Sequence, residues 1–442
     1  MEEKLNIDIK QMKFDEVEPI IESGDSDLLR TVLETGLFND INKPKSLHGP
    51  TLLMIACQTG FIDCVKVLLE YTTDINYLNQ NDSVLSYACR SGSVEMVHFI
   101  IASGFEINDE ILKNLFRSEI LMKNTDIVTI LIDYIQDVNY AYNTFISSAS
   151  RAGNVTIVRL LLERGANPNE ECNSSIIATS SGGHIEVVKL LLAWGPVDKR
   201  PSQDMLVGAL VNASRSGHLD VVRYLFEYGI TDTAALTDAL RRAVECNHVQ
   251  VAAYLIDKGA DINTTMTDDV LDEFSLLTHA CCNDFTNMVQ LLLNRGADPN
   301  AVDPIGYRPL KAALHHTEIL KLLLEAGADP NLHFANGSTA LLGAMRSVGE
   351  NAEVLTQLLL HGADPNLAHA HTTVTPLMLA SFKGYINLVK LLLEYGADVT
   401  QADGDGGSVL DLLGRITADP ALVELCLQYK DTNRTDAKPI LK

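Results

Sequence analysis

The sequence predicts an all-α repeat solenoid, a stack of helix-turn-helix units joined by β-hairpin-like loops. Three observations carry that expectation. A Gly-Ala-Asp turn recurs at Asp261, Asp298, Asp329, Asp364 and Asp398. An apolar run precedes such turns, as Leu388, Val389, Leu391, Leu392 and Leu393 precede Asp398, and it is apolar on too many sides for a surface helix. Asparagines in equivalent return loops, Asn76, Asn108, Asn139 and Asn169, follow one another at about 30 to 32 residues. A unit of that size cannot bury its own apolar faces, so copies must stack.

The clearest unit spans residues 375–400. Thr375 suits an N-cap, because its hydroxyl accepts from an orphan amide, and Pro376 suits the first helical position, where a missing N–H costs nothing. Leu377, Leu379 and Ala380 give this first helix a narrow apolar face, and Gly384 supplies the residue that tolerates positive φ at its end. The second helix follows at once and closes at Gly396. This pattern resembles the ankyrin repeat family: Thr375-Pro376-Leu377-Met378-Leu379-Ala380 matches the family's first-helix signature at every position but one, with Met378 where the family has His. The resemblance implies a concave groove, lined by first helices and hairpin fingers, that holds protein segments or other domains. It also makes return-loop asparagines such as Asn300 and Asn331 candidates for asparaginyl hydroxylation.

Taken in order, residues 1–16 read as an N-terminal extension and residues 17–428 as the repeat array, with about 12 to 13 units. Residues 17–44 and 408–428 read as degenerate caps, since terminal repeats expose one face to water. Residues 429–442 form a polar tail, expected to be mobile. Between the caps, units run over residues 48–76, 83–108, 109–139, 143–169, 174–199, 205–232, 237–263, 274–300, 307–331, 338–366 and 375–400. The unit at 109–139 is the weakest, because it lacks both the Thr-Pro start and the glycine turn. Asp126-Ile127-Val128 and Ile130-Leu131-Ile132 restore its rhythm. The step from Asn263 to Asn300 is several residues too long, which locates an insertion at residues 264–273 that lengthens one finger. Residues 345–353 stretch the turn between two paired helices. Solenoid insertions are displayed on one face, so both are candidate recognition features.

Composition narrows the function classes. Of 442 residues, 46% are hydrophobic and 21% charged, which is ample for a core and unlike a disordered chain. The amino terminus lacks the apolar stretch of a secretory signal, and no span approaches about 18 consecutive apolar residues, so no membrane insertion is expected. A monomer inside the cell, in the cytoplasm or nucleus, is the expectation. Cys57, Cys89 and Cys281 occupy one repeated small-residue position and read as buried free thiols. The net charge of −24 disfavours nucleic acid and anionic membrane as partners.

Chemistry-bearing motifs are scarce. No phosphate-binding Gly-x-x-x-x-Gly-Lys-Ser/Thr, nucleophile elbow, His-Glu-x-x-His or Cys-x-x-Cys occurs. Asp403-Gly404-Asp405-Gly406-Gly407 superficially resembles a calcium loop but lacks the third oxygen ligand and the distal glutamate. His369 and His371 alone do not fill a tetrahedral metal site. His184 and His218 sit where the ankyrin family packs a turn histidine. The expectation is a non-catalytic protein without cofactor or metal.

Residues the scaffold does not dictate concentrate at the finger tips. Tyr77, Asn79, Tyr307, Arg308, His333, Phe334, His369 and His371 are the candidate protein contacts there. Tyr307, Arg308 and Phe334 lead, because aromatics and Arg give the largest energetic return at interfaces; the alternative is that they pack against adjacent fingers. Asp268, Asp269, Asp272 and Glu273 load the lengthened finger with negative charge, so a basic or mixed-charge protein partner is expected. The function these features suggest is an interaction scaffold or adaptor. The alternative is a substrate-recognition or regulatory part of an enzyme complex such as a ubiquitin ligase.

Overall fold

Thr375 caps its helix as its sequence requires: the hydroxyl accepts from the Met378 amide at 3.2 Å, Pro376 opens the helix Pro376–Lys383, and Gly384 ends it at φ 73°. The second helix of that repeat, Ile386–Glu394, follows directly. This arrangement comes from a computed structural model, which describes residues 14–35, 41, 44, 46, 49–71, 74–79, 82–169, 174–195, 200–267, 273–304, 306–347, 352–415 and 420–432. The chain forms two units, one of residues 1–213 and 223–225, the other of residues 214–222 and 226–442.

Within the first unit the helices pair as Phe14–Ser23 with Ser26–Glu34, Leu52–Thr59 with Ile62–Tyr71, Val84–Arg90 with Val94–Ala102, Tyr140–Arg151 with Val155–Glu163, and Ser175–Ser181 with Ile185–Ala193. The repeat without a glycine turn solves its corner differently. Between Asp109–Phe116 and Thr125–Ile132 it inserts a one-turn helix, Glu119–Met122, capped by Ser118. In the second unit the pairs are Thr233–Glu245 with Val249–Asp257, Leu276–Cys282 with Thr286–Asn294, Pro309–Ala312 with Thr317–Glu325, Ala340–Ser347 with Ala352–Leu360, Pro376–Lys383 with Ile386–Glu394, and Val409–Arg415 with Pro420–Thr432. Both helices of a repeat contribute to the core, and the second helices do so with a regular ladder. Val65 and Leu68, Val128 and Leu131, Leu320 and Leu323, and Val389 and Leu392 are fully buried at a spacing of three, the periodicity of one helix face.

Two details differ from the sequence reading. The last helix runs to Thr432, into the stretch read as a tail, and docks by Leu422 and Cys426, four residues apart and both buried on one face. Thr233–Glu245 also starts earlier than residue 237, since Asp232 accepts from the Ala235 amide at 3.0 Å and caps it.

Return loops are tied repeat to repeat by asparagine. Asn300 Oδ1 accepts from the Asp329 amide at 2.8 Å while its Nδ2 donates to the Gly327 carbonyl at 3.0 Å. Asn331 does the same to Asp364 and Gly362, and Asn366 to Asp398 and Gly396. The recurrent aspartates close the same loops: the Oδ1 atoms of Asp298, Asp329 and Asp364 accept from the amide two residues on. Part of the chain's acidity is therefore scaffold. Fingers take two forms. Strands Thr265–Thr267 and Glu273–Ser275 pair antiparallel, with Met266 opposite Phe274. Leu78–Asn79 and Asp82–Ser83 form a shorter antiparallel pair, and other hairpins close without strands, as where the Phe334 amide donates to the Ser338 carbonyl at 2.8 Å.

Candidate protein-binding site

One hairpin position turns its side chain inward. Asp303, Phe334 and Asp403 each stand three residues before a glycine in the left-handed region, Gly306, Gly337 and Gly406. Asp303 is 3% exposed; one oxygen accepts from the Ser275 amide at 2.8 Å, and burial raises its pKa from the ordinary carboxylate value. Phe334 occupies the equivalent place and is 4% exposed. His369, at the base of the next finger, is 6% exposed. The expectation that Phe334 and His369 are exposed tips is thus corrected: both lie at finger bases, where the hairpin directs the side chain toward the helices.

A second departure from regularity opens a cleft beside them. Paired helices begin ten residues apart in Leu52 to Ile62, Val84 to Val94, Leu276 to Thr286 and Pro376 to Ile386. From Pro309 to Thr317 the step is only eight, and from Ala340 to Ala352 it is twelve. The short repeat closes through a 3-10 turn, Ala313–His315, instead of a full last helical turn. Its loss leaves a cleft of about 430 Å³ whose lining includes Cys282, Tyr307, Lys311, Leu314, His315, His316, Phe334, Ser338, Gly343 and Arg346. Gly343 leaves the cleft floor its room, because a Cβ would stand 2.9 Å from Leu314 Cδ1 and 3.2 Å from Phe334 Cε2 and those side chains would have to shift.

The polar groups of the cleft are arranged by their neighbours. The Lys311 ammonium lies 3.9 Å from the centroid of the Tyr307 ring, which meets Phe274 of the preceding finger edge-on at 6.1 Å. Arg346 Nη1 donates to Ser338 Oγ at 3.4 Å. His316 Nδ1 stands 3.2 Å from Asp284 Oδ1.

Of the residues expected from sequence, Tyr307 and Phe334 come together in this cleft, one half-buried and the other buried. Arg308 is turned to its own hairpin, where Nη1 donates to the Asn300 carbonyl at 2.7 Å. His333 is exposed, with Nε2 3.0 Å from the Ala368 carbonyl, and His371 is exposed with its ring 5.8 Å from that of His369. Tyr77 is half-buried in the first unit. The Asn79 backbone pairs with Asp82, while its side chain and Asp268, Asp269 and Asp272 lie outside the described residues. Glu273 is exposed at the end of its strand. Asn300 and Asn331 have both ends of their amides engaged as described. Lys311, His315 and Arg346 were not anticipated as a group, although the missing two residues around Leu314-His315-His316 are visible in the repeat spacing.

Other chemistry-bearing residues have structural roles. His184 Nε2 is 2.9 Å from the Arg151 carbonyl and its ring fills the space over Gly153; His248 does the same at Arg215 and Gly217. Burial raises the thiol pKa of Cys57 and Cys281 and pushes Cys89 up to about 12. The His369 Nδ1 atom is taken by the His371 and Thr372 amides at 3.2 and 3.3 Å. Among the described residues no group of three His, Cys, Asp or Glu side chains is placed to hold a metal ion, and no helix is long and apolar enough to cross a membrane.

The family model for ankyrin repeats (three copies) matches residues 20–111, 175–266, 265–334 and 315–403, and that for the single ankyrin repeat matches residues 141–173. An ankyrin repeat protein of fowlpox virus (strain NVSL) is 38% identical over 84 residues, 19% of this chain and 11% of the relative, so the match spans a small part of either. Among solved structures, an ankyrin repeat domain from Acinetobacter baumannii AYE is 28% identical with a TM-score of 0.38, covering 43% of this chain and 98% of that one. The ankyrin repeat domain of Bcl-3, a member of the IkappaB protein family, is 24% identical with a TM-score of 0.42, covering 50% of this chain and 97% of the other.

Proposed function

Because this chain belongs to the ankyrin-repeat family, we propose that it is a non-catalytic interaction scaffold or adaptor, and that a segment of a partner protein docks in the cleft beside the helices Pro309–Ala312 and Ala340–Ser347. The observation that carries this reading is the cleft itself: beside one shortened repeat a half-buried aromatic ring, Tyr307, and two cationic side chains stand over an apolar floor of Leu314 and Phe334. A preformed surface of this kind lowers the ordering cost of binding, and aromatic and Arg groups return the most energy there. A cytoplasmic setting, in which the buried thiols stay reduced, belongs to the same proposal. Affinity purification from cells tests it. Proteins retained by the wild type are expected to be lost from Tyr307→Ala and kept by His333→Ala, whose side chain lies outside the cleft. Identical partner sets for the wild type and Tyr307→Ala would overturn the assignment.

A further inference from the structure

The charge of the cleft is opposite to that of the chain. Against a net charge of −24, its lining among the described residues holds Lys311, Arg346, His315 and His316 and no carboxylate. Two described carboxylates on neighbouring elements are committed elsewhere: Asp284 faces His316, and buried Asp303 accepts from the Ser275 amide of the preceding finger. Among the described residues neither Lys311 nor Arg346 forms an ion pair, whereas Arg295, Lys321, Arg241 and Arg242 in the same unit are each matched to a carboxylate. The Lys311 ammonium rests over Tyr307, which orients it without consuming its donors. Arg346 makes one long bond to Ser338 and has further N–H donors in a planar fork that suits a carboxylate.

From this arrangement we infer that the cleft selects an extended acidic segment of a partner protein, a Glu or Asp carboxylate pairing with Lys311 and Arg346 while a neighbouring apolar side chain covers Tyr307. The inference rests on the docking reading above and specifies the partner's chemistry. Lys311 is half-buried, so an ion pair with it is partly shielded and contributes more than a fully exposed pair, while the exposed Arg346 fixes the register of the bound segment. The surrounding negative field acts against a uniformly acidic protein. The segment therefore belongs to a partner of mixed charge, acidic where it enters the cleft and basic around it.

Random peptides displayed on phage, selected on the full chain, supply the probe, and the selected peptides are then measured by fluorescence anisotropy. Acid-enriched sequences are expected. They should bind Lys311→Gln/Arg346→Gln about tenfold more weakly than wild type. Lys383→Gln/Lys390→Gln, which changes the net charge equally outside the cleft, should leave binding within about twofold. Cys282 lines the cleft and Cys246 does not, and both are exposed. Bound peptide should therefore slow alkylation of Cys282 alone, read by mass spectrometry. Peptides that protect Cys282 without acidic enrichment, or that bind the double variant as tightly as wild type, would refute the acidic partner and leave the docking site standing. Peptides indifferent to Tyr307→Ala that leave Cys282 unprotected, or a selection yielding no binder, would count against both.

Discussion

His369 shows how placement alone changes a side chain's chemistry. Burial lowers its pKa from the ordinary 6.5, and the cationic Arg346 and the neighbouring His371 and His333 lower it further, against a hydrogen bond with the Asn336 backbone that raises it. The folded state therefore resists a proton that the unfolded chain accepts. The contribution is complete above the unfolded pKa and is lost as pH falls through 6.5 toward the depressed folded value. Urea unfolding at neutral pH and at about pH 5 should show a smaller loss of stability on acidification for His369→Gln than for wild type. An equal loss would show that the ring is not felt by the fold. The Phe334 position makes the same point with an apolar group: the residue standing where Asp303 and Asp403 stand in other fingers is a ring, and it closes the floor of a cleft.

Among elements, the return loops act as staples between successive repeats. Each asparagine accepts from one amide and donates to one carbonyl of the next loop, so a single side chain satisfies two backbone groups that no helix or strand reaches. Asn331→Ala removes both bonds and should destabilise the chain by about 1–2 kcal/mol. The expected signature is a lower urea midpoint with an unchanged slope, because the surface exposed on unfolding stays the same. Asn331→Asp keeps the acceptor and should lose about half as much. The helix pairs show the opposite behaviour, tolerance: a deficit of two residues in the Pro309–Ala312 repeat is followed by an excess of two in the next, and the second helices Thr317–Glu325 and Ala352–Leu360 keep their buried Leu pairs regardless. Both helices of each repeat stack on their neighbours, and the apolar face of the second is kept where the length of the first changes.

For the whole molecule, charge works on two length scales. On the proposed reading, a net charge of −24 would steer a basic or mixed-charge partner from a distance, so the association rate of a partner found by purification should fall as salt is added. A rate independent of salt would set the long-range field aside. The cleft acts at contact, with local charge of the other sign. Much of this protein is legible in its sequence because repeat architecture is local information written many times: the Thr375 cap, the Pro376 start, the Gly384 turn and the apolar run through Leu393 each prescribe a few residues of backbone, and stacking follows from the apolar face left over. Sequence alone thus determined the helix pairs, the core ladder of Val and Leu, and the acidity of the return loops. Tertiary structure alone decided that Phe334 and His369 turn inward, that residues 429–432 extend a docked helix, and that Lys311 and Arg346 share one cleft. The physical reason is that exposure and proximity are properties of neighbours: whether a hairpin side chain meets water depends on the finger and helix packed beside it, and a two-residue shortening becomes a cavity only when the adjoining repeats hold their positions around it.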